Sequence, residues 1–327
     1  MDTIILKQLL TEYETKRRYK LQQAEDRKNK LLDSSSEYRD LEEKLHSISL
    51  NSIKNVLSSD TNNEKILKDL EENTEQLIKK KELLLKKMNL PNNYLEPSFD
   101  CQICNDTGYF NNELCSCIKQ RALDLEYNKS NIGNLDKENF SNFDFKVYSD
   151  KPNANLYKSN ISPRENIKKI YTICKHFVEN FDSPEEKNLM FLGPTGLGKT
   201  FLSNCIAKDI LDSGKTVLYQ TAPIMLDQLL QSKFDGDNSF ANHILNVDLL
   251  IIDDLGTETM NNLKFTELFT IINTRLLNQS SKITKTIIST NLDLKGIFDT
   301  YNERIGSRIV GNYNICRFFG EDIRLRK

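Results

Sequence analysis

The sequence predicts an α/β protein with a parallel sheet flanked by helices, preceded by a helical N-terminal region and a small cysteine-containing module. Three observations support this prediction. The first 90 residues contain none of the chain's 12 glycines and none of its 7 prolines. Four cysteines then follow as two close pairs. Beyond them, short apolar runs end in glycine-rich or polar segments, which is typical of strands in a buried parallel sheet.

Length and charge limit the possible classes of protein. A chain of 327 residues has room for two or three domains. Its net charge of -2 excludes the strongly basic composition of a protein that coats nucleic acid. No run of about 18 apolar residues is present, so no membrane span is expected. The first ten residues, MDTIILKQLL, lack the basic region and cleavage site of a secretion signal, so we expect a cytoplasmic protein.

The N-terminal 90 residues have the composition of exposed helix, because helix breakers are missing and charges of both signs are dense. Apolar residues recur at helical spacing, with Tyr38, Leu41, Leu45 and Ile48 in one stripe and Ile66, Leu70, Leu77, Leu84 and Met88 in another. With turns at 33–36 and 58–63, this predicts helices over about 2–31, 37–57 and 63–89, paired as antiparallel hairpins. A solvated coiled coil and a partner-docking module both fit this pattern.

The cysteine pairs are Cys101-x2-Cys104 and Cys115-x-Cys117. Two thiolate pairs separated by a short loop suit tetrahedral Zn²⁺, and Gly108 supplies a permissive backbone for the turn. A redox C-x-x-C would need a βαβ context that is missing, and disulfides would need an oxidising compartment. We therefore predict a zinc site. The remaining cysteines, Cys174, Cys205 and Cys316, lie in apolar segments and are expected to be core residues.

A phosphate-binding loop is the strongest motif in the chain. It fits G-x-x-x-x-G-K-[ST] in full, follows the apolar run 189–192 and opens a predicted helix over 201–211. Backbone N–H groups of such a loop wrap the phosphates of a nucleotide, the lysine reaches the β- and γ-phosphates, and the threonine hydroxyl binds Mg²⁺. The predicted ATP-binding residues are Gly193, Pro194, Thr195, Gly196, Leu197, Gly198, Lys199 and Thr200.

A second apolar run, 247–255, ends in two carboxylates. Because ligands of parallel sheets bind at the carboxyl ends of the strands, Asp253 is expected to hold Mg²⁺. Asp254 is then the expected catalytic base that orients or deprotonates the attacking water, with Glu258 as the reserve candidate. A helix-capping role for Asp254 stays open.

A third run, 284–291, ends in Asn291, which is expected to sense the γ-phosphate or the attacking water. A lone asparagine at this place is otherwise a common turn residue. Lys282 and Lys285 beside this run are weak candidates for DNA contact.

The segment 139–145 is expected to be an extended strip packed on the domain, and 163–180 is expected to be a helix. Simple P-loop kinases are a competing interpretation, but an arginine-rich lid is not apparent.

Residues 140–327 resemble an AAA+ ATPase of the helicase-loader group, the DnaC/DnaI type with its transposition relative IstB. The resemblance rests on GPTGLGKT, LLIIDDLGTE, IISTN and YNERIGSR, the last matching the group's E-R-x-x-S/D-R segment. The cysteine segment 101–117 resembles the zinc module of the DnaI branch. The first 90 residues match only in being helical.

The resemblance implies a five-stranded parallel sheet, ATP-dependent assembly into a homo-oligomer and binding of single-stranded DNA. It also implies roles for two arginines. Arg308 would be the finger that reaches the ATP of a neighbouring subunit, and Arg324 would be a second sensor of the nucleotide. Arg304 and Arg308 are also compatible with a solvated helix face.

The predicted organisation is a helical partner-binding region over 1–90, a zinc-binding module over 91–125, a linker over 126–160 and an AAA+ ATPase domain over 161–327. The predicted function is ATP-dependent loading of the replicative DNA helicase, with ATP, Mg²⁺ and Zn²⁺ as cofactors and no membrane partner. The helices and zinc module would grip the helicase. A transposition helper ATPase and an adaptor that binds nucleotide without turnover are the alternatives.

Overall fold

The computed structural model describes residues 3–58, 63–126, 135, 137–277 and 282–325. The chain divides into two compact units, of which one is Leu10–Asn111 and the other is Met1–Leu9 together with Asn112–Lys327. None of the described helices combines the length and the apolar composition that a bilayer span requires.

Three long helices supply the first unit: α1 (Thr3–Ser34), α2 (Ser36–Ser58) and α3 (Asn63–Lys87). The turn expected at 33–36 is reduced to Ser35, whose hydroxyl accepts the backbone N–H of Tyr38 at 3.2 Å and so caps α2. The other expected turn lies largely outside the described residues, as do the side chains of Ile66 and Leu70.

Helices α2 and α3 pair in antiparallel fashion, as predicted for this hairpin. The start of α2 packs against the end of α3 in a core of buried residues, namely Leu31, Tyr38, Leu41, Leu84 and Leu85. Glu42 on α2 accepts hydrogen bonds from Lys81 on α3 and from Tyr38 at 2.8 Å, and it lies 3.5 Å from Lys28 on α1. Although burial raises the pKa of Glu42, these donors lower it below its ordinary value. One carboxylate therefore ties the three helices together.

The second unit contains a five-stranded parallel sheet, which confirms the predicted fold class. Its strands are β3 (Asn188–Leu192), β4 (Val217–Thr221), β5 (Leu249–Leu255), β6 (Lys285–Thr290) and β7 (Tyr313–Arg317). Earlier in the chain, the short strand β1 (Tyr109–Phe110) lies in the first unit and β2 (Glu113–Leu114) in the second. The strand order is β4-β5-β6-β3-β7, and every pair is parallel. The carboxyl ends of β3, β5 and β6 therefore meet at one edge of the sheet.

Helices cover both faces of this sheet. They are α4 (Ser116–Glu126), α5 (Ala154–Tyr157), α6 (Pro163–Glu179), α7 (Lys199–Asp212), α8 (Ala222–Phe234), α9 (Ser239–Asn246), α10 (Asn262–Leu277) and α11 (Leu294–Asn312). One buried cluster packs α8 to α11 on the sheet, and a second packs α6 and α7 on the opposite face. Cys174, Cys205 and Cys316 are buried in the second cluster, as predicted.

Lys285 is not a DNA contact, and that prediction is wrong. Its side chain is fully buried, and its ammonium donates to the backbone oxygens of Ser183, at 3.0 Å, and of Glu186. Lys282 is half exposed and pairs with Asp248 at 2.8 Å. Both lysines lie at the amino end of β6, which is the edge opposite the nucleotide-binding loop.

The segment 139–147 packs on the domain but is not extended. It forms two 3₁₀ turns, Phe140–Asn142 and Phe145–Val147. The side chain of Asn139 accepts the N–H of Asn142, and that of Asp144 accepts the N–H of Lys146. Such local side-chain bonds favour tight turns over extended backbone, and the apolar periodicity does not reveal them.

Helix α4 packs against β4, one of the two outer strands of the sheet. The side-chain amide of Gln120 accepts the N–H of Val217 at 2.7 Å and donates to its C=O at 3.0 Å, so it takes the place of a neighbouring strand. Ile118, Ala122 and Leu123 on the same helix are buried. The predicted linker 126–160 thus follows a helix that is already packed on the sheet.

Helix α11 is kinked at Asn302, whose φ of 55° and ψ of -179° are not helical. A non-glycine residue in this region of backbone space costs about 1–3 kcal/mol. The Asn302 side chain offsets part of this strain by accepting the N–H of Arg304 at 2.8 Å, which caps the second half of the helix. That half carries Arg304 and Arg308.

Candidate nucleotide-binding site

The phosphate-binding loop joins β3 to α7 at the carboxyl edge of the sheet. Gly193 has a φ of 143°, and a β-carbon there would lie 2.3 Å from the backbone oxygen of Phe318. Only glycine fits such a close approach to the residue that follows β7. The loop therefore has the geometry that the motif predicts.

Lys199 and Asn291 meet at this loop. The ammonium of Lys199 donates to the backbone oxygens of Gly193 and Pro194, at 2.6 and 2.8 Å, and to Oδ1 of Asn291 at 2.8 Å. A cavity of about 710 Å³ is lined by the three acceptor residues, Gly193, Pro194 and Asn291, together with others. Asn291, directly after β6, thus lies beside the lysine of the phosphate-binding loop.

Asp253 lies beside the loop at the end of β5 and is almost fully buried. Its carboxylate accepts the hydroxyl of Thr200 at 3.2 Å and also the hydroxyls of Tyr219 and Ser289. Thr200 and Asp253 offer hard oxygen donors side by side, which is the donor type that Mg²⁺ prefers. These two residues fit a Mg²⁺ ion, which would neutralise phosphate charge when bound with the nucleotide.

Asp254 adopts a left-handed backbone conformation, with φ at 54°. Its N–H donates to Asp253 Oδ1 at 3.1 Å and to Ser289 Oγ at 3.3 Å, so the backbone of Asp254 is held at the end of the strand. Burial and the neighbouring charge of Asp253 raise the pKa of Asp254, while Lys199 lowers it. A carboxylate with a raised pKa is suited to accept a proton from water.

Glu258, the reserve candidate for the base, has another role. One carboxylate oxygen accepts the N–H of Gly256 at 2.9 Å, and the other accepts the hydroxyl of Tyr301. Tyr301 is fully buried and directly precedes the kink at Asn302. Because both oxygens are engaged, Glu258 links the end of β5 to α11, and the geometry favours Asp254 as the base.

Arg308 lies on α11 and packs against α10. Its Nε donates to Asn273 Oδ1 at 2.8 Å, its Nη1 donates to the backbone oxygen of Arg304 at 2.9 Å, and its guanidinium lies 4.6 Å from the ring centre of Phe269. Within 137–277 and 282–325, its hydrogen bonds go to these helices and not to its own phosphate-binding loop.

Arg324 follows β7 in a 3₁₀ turn, Ile323–Leu325. Its neighbour Ile323 donates its N–H to the backbone oxygen of Gly196 at 2.9 Å, so this segment lies directly on the phosphate-binding loop. The fold therefore brings the segment of Arg324, but not Arg308, to the phosphate-binding loop of the same chain.

Several residues of the site were not predicted. Tyr219 and Ser289 orient Asp253 from the two strands that flank β5. Ser289 could have been found, because it lies two residues before Asn291 and alternate strand residues share a face. Tyr148, whose hydroxyl donates to Leu197 O at 3.1 Å beneath the loop, has no recognisable sequence signal.

The four predicted metal ligands come together. The thiols of Cys101, Cys104, Cys115 and Cys117 all lie within 4.8 Å of one another. Tetrahedral coordination at about 2.3 Å places sulfurs about 3.8 Å apart, so the donor set and its spacing fit Zn²⁺.

The backbone around the first cysteine pair is shaped for a metal-binding knuckle. The buried Asp106 accepts the N–H groups of Asp100 and Cys101, at 3.0 and 2.8 Å. Asn105, Asp106 and Gly108 all have positive φ. This tight turn holds the first pair of thiols, and when bound Zn²⁺ would crosslink it to the second pair.

Zinc content provides the direct test of this site. We expect about one Zn²⁺ per purified chain, released on treatment with a thiol-reactive mercurial, because four thiolates complete a structural site. Cys115→Ser is expected to lose the metal and to lower the Tm, whereas Cys174→Ala, in the buried core, is expected to keep it. Elemental analysis that finds no zinc in protein never exposed to chelator would contradict the assignment.

Comparison with known proteins agrees with this geometry. The family model of the IstB-like ATP-binding protein matches residues 158–326. The replicative helicase loader DnaC of Buchnera aphidicola is 30% identical over 154 residues, which are 45% of this chain and 60% of that protein. A putative insertion sequence ATP-binding protein of Sinorhizobium fredii is 31% identical over 139 residues, which are 42% and 56% of the two chains.

A solved structure of the DnaC helicase loader is 24% identical, with a TM-score of 0.44, and the match covers 54% of this chain and 96% of that one. The chain spans about 60% or less of the length of the curated relatives above. The family match, over residues 158–326, lies within the unit that carries the nucleotide site.

A parallel sheet with a complete phosphate-binding loop, an acidic strand end and an asparagine on the adjacent strand defines a P-loop ATP-binding protein of the AAA+ type. The family match covers more than half of the chain. The chain belongs to the IstB-like ATP-binding family.

Proposed function

We propose that the protein is an ATP-dependent loader of the replicative DNA helicase. The observation that carries this proposal is the similarity of slightly less than half of the chain to DnaC, a replicative helicase loader. The helical unit and the cysteine cluster supply a separate surface for a protein partner.

The proposed ATPase chemistry uses residues that the fold brings together. Lys199 and the loop N–H groups bind the phosphates, while Thr200 and Asp253 hold Mg²⁺. Asp254 accepts the proton of the attacking water, and Asn291 orients the terminal phosphate. The fixed hydrogen bonds from Tyr219 and Ser289 keep the Asp253 carboxylate in one orientation, which lowers the reorganisation needed at the metal.

The proposed working form is a homo-oligomer on single-stranded DNA. Arg308 would complete the ATP site of the neighbouring subunit, since its hydrogen bonds go to Asn273 on α10 and to Arg304 on its own helix, and not to its own loop. Arg324 would contact the nucleotide of its own subunit. If ATP binding promotes assembly in this way, the assembled protein would bind single-stranded DNA and the helicase at the same time.

The proposed helicase-binding surface is on α2 and α3. A groove of about 460 Å³ between these helices is lined by Leu83, Leu84, Leu41, Lys80, Lys86, Lys87 and Glu37. Leu83 is 59% exposed there. An apolar floor with a lysine rim is suited to an acidic amphipathic helix of a partner.

A second candidate function is support of transposition. The relative from Sinorhizobium fredii, an insertion sequence ATP-binding protein, favours it. In that case the same ATPase unit would act with a transposase. The three N-terminal helices and the cysteine cluster favour the loader. A transposition helper would ordinarily lack this helical, cysteine-containing region.

A binding experiment with the full-length chain separates these functions. We expect the replicative helicase of the source organism, and not an insertion-sequence transposase, to bind without ATP. Leu83→Asp is expected to weaken helicase binding about tenfold or more, because a buried leucine contributes about 1.5–3 kcal/mol. Leu263→Asp is a matched control, since Leu263 is 55% exposed on the other unit. Equal loss with both variants, or capture of the transposase alone, would refute the proposal.

A further inference from the structure

Asp322 lies against the phosphate-binding loop, although no motif marks it. A β-carbon on Gly196 would lie 1.9 Å from Oδ1 of Asp322, so the carboxylate is in direct contact with the loop backbone. The adjacent bond from Ile323 N–H to Gly196 O, at 2.9 Å, fixes this approach. Gly196 must therefore be glycine both for its φ of 72° and to accommodate the carboxylate.

Asp322 holds Arg324 through a two-pronged ion pair. Arg324 Nε donates to Oδ1 at 3.0 Å and Nη2 donates to Oδ2 at 2.7 Å. The backbone N–H of Arg324 also donates to Oδ1 at 3.0 Å. The carboxylate thus occupies one edge of the planar guanidinium, and no acceptor among the described residues bonds the Nη1 edge.

The charge of Arg324 reaches the centre of the site. Burial lowers the pKa of Lys199, the carboxylates of Asp254 and Asp253 raise it, and Arg324 lowers it further. The hydrogen bonds from Arg324 lower the pKa of Asp322, so this carboxylate is ionised at neutral pH. The guanidinium is therefore a fixed cation near the ammonium that binds the phosphates.

We propose that Asp322 is a positioning residue for ATP: it clamps Arg324 by one edge so that the Nη1 edge faces the phosphate chain on the loop. Free in solution, an arginine side chain samples many rotamers, and fixing it in the empty site removes that entropic cost from nucleotide binding. Asp322 itself makes no contact with the nucleotide. The proposal rests on ATP binding at this loop and is independent of the helicase.

A double-mutant cycle on the full-length chain tests it. The variants are Asp322→Asn, Arg324→Gln and the double variant, and the measurement is the Kd for ATP and for ADP. We expect each single variant to weaken ATP binding about tenfold, and the double variant to be no weaker than Arg324→Gln, because Asp322 acts only through Arg324. Asp322→Glu, which can still offer a fork, is expected to recover part of the affinity.

Two outcomes would overturn the proposal. Tighter ATP binding by Asp322→Asn would mean that the carboxylate merely repels phosphate. Additive losses in the double variant would mean that Asp322 acts independently of Arg324, for example by supporting the loop. An unchanged Tm for Asp322→Asn excludes misfolding, and Asp322→Ser provides a second variant if the Tm falls. Helicase binding without ATP is expected to be unaffected, so this test can fail while the loader function stands.

Discussion

Arg308→Ala is expected to retain ATP binding, and the hydrolysis rate of the assembled protein is expected to fall about 10³–10⁵-fold. An arginine delivered from outside the bound site stabilises the charge that develops on the transferred phosphate. In this chain Asn273 and Phe269 hold the Arg308 side chain against α10 rather than at its own loop. Phosphate release measured at a concentration where the parent is assembled checks the prediction.

Mixing two inactive variants tests whether Arg308 acts on a neighbour. Lys199→Ala damages the pocket but keeps the arginine, and Arg308→Ala has the opposite defect, so the mixture is expected to recover part of the activity. Arg304→Ala is the control, because Arg304 is exposed one helical turn away and is expected to have a much smaller effect. Unchanged hydrolysis by Arg308→Ala alone would remove this residue from the site.

Asp254→Asn is expected to lower hydrolysis by about 10²–10⁴ while ATP still binds, because the amide cannot accept the proton of water. Asparagine tolerates the left-handed backbone of this position, so the change removes the charge without adding strain. Full activity in Asp254→Asn would transfer the role of base elsewhere.

The same substitution is expected to raise stability at neutral pH. The folded protein raises the pKa of Asp254 through burial and the charge of Asp253, so the ionised side chain destabilises the fold at pH values above that pKa. As the pH falls through it, the side chain takes up a proton and the penalty disappears. The gain in Tm of Asp254→Asn over the parent is therefore expected to shrink at acidic pH.

The parts of the site that are marked by a local motif could be predicted from sequence. The loop, the Asp253 strand and the Asn291 strand each combine an apolar run with a polar end, and parallel topology then brings these ends together. The cysteine cluster was likewise predictable, because both thiolate pairs carry their own turn. Such motifs are local, so they need no knowledge of tertiary contacts.

Residues that act across the fold were not predictable in this way. Tyr301 reaches Glu258 from α11, and Gln120 reaches Val217 from a helix 97 positions earlier. Neither side chain has a spacing pattern that marks its partner. Lys285 illustrates the opposite error, because a lysine beside a strand reads as exposed until the backbone oxygens that surround it are known.

The amide of Gln120 also bears on self-association. An uncovered outer strand presents a row of backbone donors and acceptors that can pair with the same strand of another molecule, which is a route to aggregation. In this fold one side chain blocks that pairing at Val217, and the apolar side of α4 shields the surface around it. The family-matched segment 158–326 lacks α4. Expressed alone, it would leave the outer edge of β4 without the cover that α4 provides. The helix that begins within the second cysteine pair therefore covers part of a strand edge that could otherwise pair with another chain.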